Sequence, residues 1–156
     1  AYGALPLEVA LRVAHENEPS ASLYAALVDG LSALDSWTDG VAAPICWTLV
    51  RLMAAAGYAP ALDQCCFTGR GVGDTPGFSY EGGVTVLAAQ TDRRLRREEL
   101  AALRTLACSA RCPEVGFVDG LVKLLWRYAE RQLDVSLRSA RVIEQMYGGK
   151  NAPRTK

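Results

Sequence analysis

Basic side chains in the C-terminal part of the chain have the types and spacing best suited to a chemical role. Lys123, Arg127 and Arg131 recur at intervals of four residues, so a helix places them in one stripe along its surface. Arg138 and Arg141 follow, on the next expected helix. Such cations neutralise the phosphates of a nucleic acid and release its counterions, without reading the base sequence. The spacing therefore predicts a DNA-binding surface, although each arginine taken alone could be an ordinary solvated residue.

The distribution of charge also favours an anionic partner for this part of the chain. Acidic and basic residues number 17 each, but residues 1–63 hold seven acids against two arginines, a net charge of −5, and residues 64–156 have a net charge of +5. An excess of one sign attracts ligands of the opposite sign. Attraction between the two parts within the folded protein is the alternative. Trp126 and Tyr147 lie among the C-terminal bases and could stack on the bases of a single strand.

Residues for catalysis are sparse. His15 is the only histidine, which argues against histidine-based catalysis and against a multi-histidine metal site. Glu98 and Glu99 directly follow an arginine cluster, and this is typical of the first turn of a helix, where acids meet the positive end of the helix dipole. The stretch Gly69–Gly73 lacks the lysine and the serine or threonine of a phosphate-binding loop and predicts a turn. None of these residues therefore favours catalysis.

Five cysteines are an odd number for a disulfide framework, and two of them, Cys65 and Cys66, are adjacent. This usage predicts a reducing, cytoplasmic environment. A small zinc-binding module is one alternative, and its ligands would be Cys65, Cys66, Cys108 and Cys112. The spacing lacks the two Cys-x2-Cys pairs of a structural zinc site, since Thr68 stands where the partner of Cys65 would be. Buried or surface thiols are the simpler interpretation.

The elements that position these residues are mainly helices. Apolar residues recur at helical spacing in six segments, which predicts helices at about 4–16, 21–34, 42–56, 97–108, 117–133 and 137–147. In the first helix we expect a buried face formed by Leu7, Ala10, Leu11 and Ala14. The third segment is apolar almost all round, with Arg51 as its only charged residue, so this helix is expected at the centre of the fold. The sequence has no run of 18 apolar residues and no basic and apolar leader, so neither a transmembrane helix nor a signal peptide is predicted.

Residues 62–91 differ in character from the helical segments because they are rich in glycine. Residues 78–80 and 84–87 are short β-type runs on either side of Glu81-Gly82-Gly83, which predicts a small hairpin. We expect residues 1–156 to form a single, mainly α domain. It would be a helical bundle with a small glycine-rich β-hairpin insert at about 62–91.

Several segments resemble, in the same order, the C-terminal part of bacterial RecO, a family of recombination and repair mediators. Over residues 49–65 an apolar helix with an internal arginine runs into a Gly-Tyr pair, and Leu-Asp and a cysteine follow. Residues 78–83 resemble the family's Phe-Ser-Pro-Glu turn with its two glycines. The other similar segments are residues 16–19 with Leu23 and Tyr24, residues 124–128, and residues 137–146 with Leu133 before them.

The resemblance implies a helical domain of the RecO type, and the N-terminal OB-fold domain of that family is absent from these 156 residues. Many RecO proteins carry a zinc-binding insert with four cysteines. Here Cys65 matches the first of them, Thr68 stands at the second, and residues 84–91 contain no cysteine. The resemblance therefore implies a member that has lost the zinc site and needs no cofactor.

The function implied by the resemblance is that of a DNA repair mediator that is not an enzyme. RecO-type proteins bind single- and double-stranded DNA, anneal complementary strands, contact the acidic tail of single-strand binding protein, and work with RecR to load RecA. They act in the bacterial cytoplasm at the nucleoid, with no membrane partner. The expected DNA contacts are Lys123, Arg127, Arg131, Arg138 and Arg141.

Arg51 matches the family's helix arginine and is the expected contact of the single-strand binding protein tail. Trp47 and Leu52 could line an apolar pocket beside it. A structural arginine that pairs with a buried acid is the alternative for Arg51. For the whole chain, the alternatives are a helical adaptor that binds only protein and the zinc-binding module.

Overall fold

The computed structural model describes residues 3–16, 20–38 and 40–151. Within these residues the chain forms six α-helices and a small three-stranded sheet, so the fold is mainly α, as predicted. The helices are α1 (Ala4–Glu16), α2 (Ala21–Ser36), α3 (Ala42–Ala55), α4 (Arg97–Cys108), α5 (Asp119–Leu133) and α6 (Arg138–Asn151). The strands are β1 (Gly77–Ser79), β2 (Gly83–Thr85) and β3 (Arg93–Arg94). None of the described helices has the length and apolar character needed to cross a membrane.

Helix α3 lies at the centre of the bundle. It packs against α1, α2, α4 and α5, and its residues from Ala42 to Val50 are all buried. Ile45, Leu49 and Leu52 are fully excluded from solvent. A helix that is apolar all round is stable in water only when neighbours surround it. The predicted central position of α3 is confirmed.

The buried face of α1 differs from the prediction. Leu5, Val9 and Val13 are buried, whereas Leu7 and Leu11 are 43% and 63% exposed. The helix carries two overlapping apolar stripes, and both have helical spacing, so periodicity alone does not choose between them. The packing of α1 against α3 selects the stripe that contains the valines. The expectation that Leu7 and Leu11 face the core was therefore wrong.

Helices α2 and α3 approach each other closely at Gly30. This residue is buried, and a Cβ atom built on it would lie 2.2 Å from Cγ2 and 2.4 Å from Oγ1 of Thr48. The Thr48 side chain is held in place, since its hydroxyl donates a 2.6 Å hydrogen bond to the Pro44 carbonyl. Only glycine leaves room for the two helices at this separation.

The predicted hairpin is present, and a third strand joins it. β1 pairs with β2, where Phe78 lies opposite Val84, and on its other side with β3, so the strand order is β2-β1-β3. The sequence did not indicate β3, because two arginines are too short and too polar to show strand alternation. Gly83 has a φ of 127°, and a Cβ atom there would lie 2.3 Å from the Ala61 carbonyl oxygen, so the turn requires glycine.

The insert packs against the C-terminal half of α5. The buried Tyr128 hydroxyl donates a 2.6 Å hydrogen bond to the Tyr58 carbonyl, and its ring meets the edge of Phe78 with 5.9 Å between centroids. The side-chain amide of Gln132 donates to the Tyr80 carbonyl at 2.9 Å. Helix α5 thus joins the insert to the bundle and places Arg131 beside the hairpin turn.

Candidate nucleic-acid and partner interface

Helix α5 has one apolar and one basic face. Its apolar face is buried and includes the predicted residues Leu121, Leu124, Leu125 and Tyr128. Lys123, Arg127 and Arg131 are all exposed. Because residues four apart lie one above the other on a helix, the three cations form a single row on the solvent side. These three residues form the basic stripe of α5.

Two members of the basic stripe are paired with carboxylates of the same chain. Nζ of Lys123 lies 3.0 Å from Oε1 of Glu144 on α6, and Nη2 of Arg131 lies 2.6 Å from Oε1 of Glu81 in the hairpin turn. The pKa of Glu144 is lowered by its hydrogen bond with Lys123 and by the positive charges of Lys123 and Arg127. Arg127 makes no ion pair with a described residue. Exposed ion pairs stabilise a fold little, so phosphate can compete for both paired cations.

Arg138 and Arg141 are exposed on the first turn of α6. Positive side chains are unfavourable beside the positive end of a helix dipole, and a carboxylate from α1 offsets them. Glu8 accepts the backbone N–H groups of Arg138 at 2.8 Å and of Ser139 at 2.9 Å, together with the Ser139 hydroxyl. Burial raises the pKa of Glu8, but these hydrogen bonds outweigh burial and lower it. Helix α1 therefore holds the start of α6, and with it both arginines, next to α5.

Trp126 does not belong to this surface. It is only 5% exposed, so the prediction that it stacks on nucleobases was wrong. The residue lies between basic residues in the sequence, but each step along a helix rotates the side chain by about 100°, which carries it to the buried side. The side chain of Tyr147 lies outside the described residues, as does that of His15.

The arginine cluster at residues 93–97 is largely engaged in holding the start of α4. Nη2 of Arg93 lies 2.6 Å from Oε2 of Glu99, a residue with 0% exposed surface. The other carboxylate oxygen of Glu99 accepts the backbone N–H of Arg96 at 3.1 Å and so closes the first turn of the helix. Arg97 pairs with Asp74 at 3.0 Å. The predicted N-terminal turn is confirmed at Glu99. Its pairing with Arg93 depends on β3 and was not predicted.

Arg51 lies at the edge of the buried helix α3. Its guanidinium carbon is 4.6 Å from the centre of the Trp47 ring, and Nη1 is 3.0 Å from Oδ2 of Asp29, a half-exposed acid on α2. Trp47 is 2% exposed and its indole N–H donates to the Ser109 carbonyl, while Leu52 is fully buried. A peptide at this position would meet the Arg51 guanidinium and Asp29 rather than an open apolar pocket.

An open cleft that the sequence analysis missed lies between the end of α2, the start of α3 and the loop before α5. Its volume is about 700 Å³, and its lining includes Trp37, Val115 and Phe117. Phe117 is 54% exposed and has a φ of 59°, a conformation that bulky residues rarely adopt. The Arg96 guanidinium lies 5.6 Å from its ring. The signal that could have indicated the cleft is an aromatic residue next to Gly116 in a loop.

The residues of the insert do not fit the zinc ion that many RecO proteins carry in this region. Cys65 is buried, and its sulfur accepts the Val86 N–H at 3.4 Å and lies 3.5 Å from Oγ1 of Thr85. Burial raises the pKa of Cys65, but hydrogen bonds from Thr68 and Thr85 and from the backbone N–H groups of Val86 and Phe67 lower it to about 6. Structural zinc sites use thiolates, imidazoles and carboxylates, not threonine hydroxyls.

The cysteines of the alternative zinc module lie in different surroundings. The thiol of Cys66 donates to the Gly83 carbonyl at 3.8 Å within the insert, whereas that of Cys108 donates to the Thr105 carbonyl at 3.6 Å within α4. Burial raises the pKa of Cys112 to about 11. Among the described residues, no three or more His, Cys, Asp or Glu side chains are grouped so that they could hold a metal ion.

Comparison with known proteins places the chain in a family. Residues 1–141 match the family described as "Recombination protein O C terminal". No curated protein and no solved structure matches the chain. The match covers helices α1 to α5 and the first four residues of α6, and it includes the basic stripe, Arg138, Arg141 and Arg51. The chain therefore belongs to the RecO C-terminal family, a family of DNA recombination and repair.

Proposed function

We propose that this chain binds DNA as the helical part of a RecO-type mediator, a protein that is not an enzyme and needs no cofactor. In this proposal it contacts single- and double-stranded DNA and the tail of single-strand binding protein, and assists strand annealing and RecA loading together with RecR. It would act in the cytoplasm, at the nucleoid. The observation that carries the proposal is the exposed basic stripe on α5. Through Lys123 and Glu144 it contacts α6, the helix that begins with Arg138 and carries Arg141.

The five cations are not equally available to phosphate. Arg127, Arg138 and Arg141 have no carboxylate partner among the described residues. Lys123 and Arg131 must exchange a carboxylate for a phosphate, but their partners are exposed and the exchange replaces one charge-assisted contact with another. All five side chains can therefore contribute to binding, and we expect no preference for base sequence because the contacts are to the backbone.

Replacing the basic stripe with alanines (Lys123→Ala, Arg127→Ala, Arg131→Ala) is expected to weaken single-strand binding and flatten its salt dependence. Each phosphate contact on single strands contributes about −0.7 to the log–log slope of affinity against salt, so three to five contacts give roughly −2 to −3.5. The triple variant should lose about two units of slope. Fluorescence anisotropy of a labelled oligonucleotide at several salt concentrations measures it.

The matched control removes the same charge elsewhere. Arg70, Arg97 and Arg111 are exposed and lie in the insert, at the start of α4 and in the following loop. Their replacement with alanines should leave most of the slope in place. Equal losses in both triple variants would mean that net charge alone drives binding. An unaltered affinity and slope in the stripe variant would mean that the stripe is only a solvated face and that the DNA surface lies elsewhere. Absence of DNA binding by the parent chain would instead favour a helical adaptor that binds only protein.

A peptide that copies the acidic, apolar-ended tail of single-strand binding protein is expected to bind near Arg51. The guanidinium offers a charged contact for the peptide's acids, and Arg51→Ala should weaken binding about 10-fold, as expected for the loss of a hydrogen bond to a charged group. Isothermal titration of the whole chain measures the affinity. Phe117→Ala serves as the parallel variant, because the cleft at Phe117 and Arg96 also combines apolar and basic groups. Loss of binding in Phe117→Ala with full affinity in Arg51→Ala would remove Arg51 from the site.

A further inference from the structure

Two turns of the insert meet at one buried sulfur atom. The first turn runs from Cys65 to Gly69, whose N–H donates to the Cys65 carbonyl at 2.9 Å. The second begins at Thr85, whose hydroxyl oxygen accepts the Leu87 N–H at 3.0 Å. The sulfur of Cys65 accepts the Val86 N–H from this second turn and touches the Thr85 hydroxyl. One thiol from the first turn therefore supplies hydrogen-bonding contacts to the second.

The backbone around this thiol is joined to both neighbouring segments. The N–H of Cys65 donates to the Arg70 carbonyl at 2.7 Å, and the N–H of Cys66 donates to the Val84 carbonyl in β2 at 2.9 Å. The sulfur is nearly excluded from water, at 3% exposed for the residue. Buried polar contacts of this kind hold a local structure, because breaking them leaves donors unsatisfied.

A metal ion is the usual alternative for joining two such turns, and the donor set here does not suit one. A structural zinc ion needs four ligands, with sulfur at about 2.3 Å. The side chains next to the Cys65 sulfur are the hydroxyls of Thr68 and Thr85, and its lone pairs are directed to hydrogen-bond donors. The sulfur lone pairs that a metal ion would need are therefore already engaged in hydrogen bonds.

We propose that the Cys65 sulfur, through its hydrogen bonds to Val86 and Thr85, joins the two turns of the insert in place of a metal ion. The insert then keeps its fold in the presence of a chelator and depends on this thiol instead. The proposal concerns the insert alone and stands whether or not the chain binds DNA.

Amide hydrogen exchange of the full chain, followed by NMR, tests the proposal. The Cys65→Ala variant should exchange the Val86 N–H on the order of 5–10-fold faster, as expected for the loss of one hydrogen bond. The Leu95 N–H, which donates to the Pro76 carbonyl at 2.9 Å at the far side of the sheet, should change much less. Cys108→Ala, at an exposed thiol, is the control and should leave both amides unchanged. Overnight treatment of the parent chain with EDTA should also leave them unchanged.

A second variant keeps the test decisive if Cys65→Ala does not fold. Thr85→Val preserves size but removes the hydroxyl, so exchange at Leu87 and Val86 should accelerate while the bundle stays folded. One zinc per chain by elemental analysis, or faster exchange in the insert after EDTA, would overturn the proposal. Unchanged protection of Val86 in a folded Cys65→Ala chain would overturn it as well.

Discussion

Replacing Glu99 with alanine is expected to lower the free energy of unfolding by about 3 kcal/mol, at the lower end of the range for breaking a buried ion pair. The carboxylate has 0% exposed surface, binds Arg93 at 2.6 Å and accepts the Arg96 N–H. Its removal leaves the Arg93 guanidinium without its partner and opens the first turn of α4. The lower end of the range applies because the Arg93 side chain is one-third exposed and can still reach water. Urea unfolding followed by circular dichroism measures the change, and Glu98→Ala at the exposed neighbour should be nearly neutral.

The same carboxylate makes the fold sensitive to acid. Burial raises the pKa of Glu99, but the hydrogen bond and the charge of Arg93 and the N–H of Arg96 outweigh burial and lower it below 4.5. A lowered pKa in the folded state gives stability that is present above the unfolded value and lost as the pH falls through the folded value. Glu99→Gln should therefore be less stable at neutral pH and lose less stability below about pH 4.5. If the parent and the Glu99→Gln variant lost the same stability as the pH falls, this role of Glu99 would be contradicted.

Replacing Gly30 with alanine is expected to lower the free energy of unfolding by about 2 kcal/mol, the middle of the range for overpacked cores. At an exposed helical position the same replacement would instead raise the free energy of unfolding by about 1 kcal/mol, because alanine favours a helix more than glycine does. The new methyl group would overlap the Thr48 side chain, and the β-branched threonine has few rotamers with which to move away. Helices α2 and α3 must separate. Thermal or urea unfolding measures the loss.

A double variant isolates the cause of that loss. Thr48→Ala removes Cγ2 and Oγ1, the two atoms that lie closest to the new methyl group, while its own Cβ would remain 2.8 Å away. Gly30→Ala with Thr48→Ala should therefore be more stable than the sum of the single changes predicts. Strict additivity would show that the helices do not meet at this point. Ser32→Ala, on the exposed side of α2, controls for helix propensity.

Periodicity predicted the elements of this fold, but not how they are rotated or where they meet. The six helices and the hairpin follow from the spacing of apolar residues and from the positions of glycines. Both are local properties of the sequence. The rotation of α1 depends on its packing against α3, because both of its apolar stripes have helical spacing. The ion pair of Arg93 with Glu99 depends on a two-residue strand that has no signature of its own.

The candidate interface could be predicted in part for the same reason. The spacing of Lys123, Arg127 and Arg131 is a local property, so the sequence predicted the basic stripe correctly as an exposed row. The acids that pair with it, Glu81 and Glu144, are distant in sequence and became apparent only in the fold. The cleft at Phe117 was not predicted, because three segments that are separate in sequence form it.

The hydrogen bonds between Glu8 and the start of α6 also bear on the order in which the parts of the chain fold. The two partners are 130 residues apart, and contacts between such distant segments form slowly because a long loop must close first. During synthesis α1 leaves the ribosome before α6 does, and its carboxylate has no helix start to bind until residues 138–139 have been made. We therefore expect α6, with Leu137, Ala140 and Ile143 on its buried side, to dock after α1 has packed against α2 and α3.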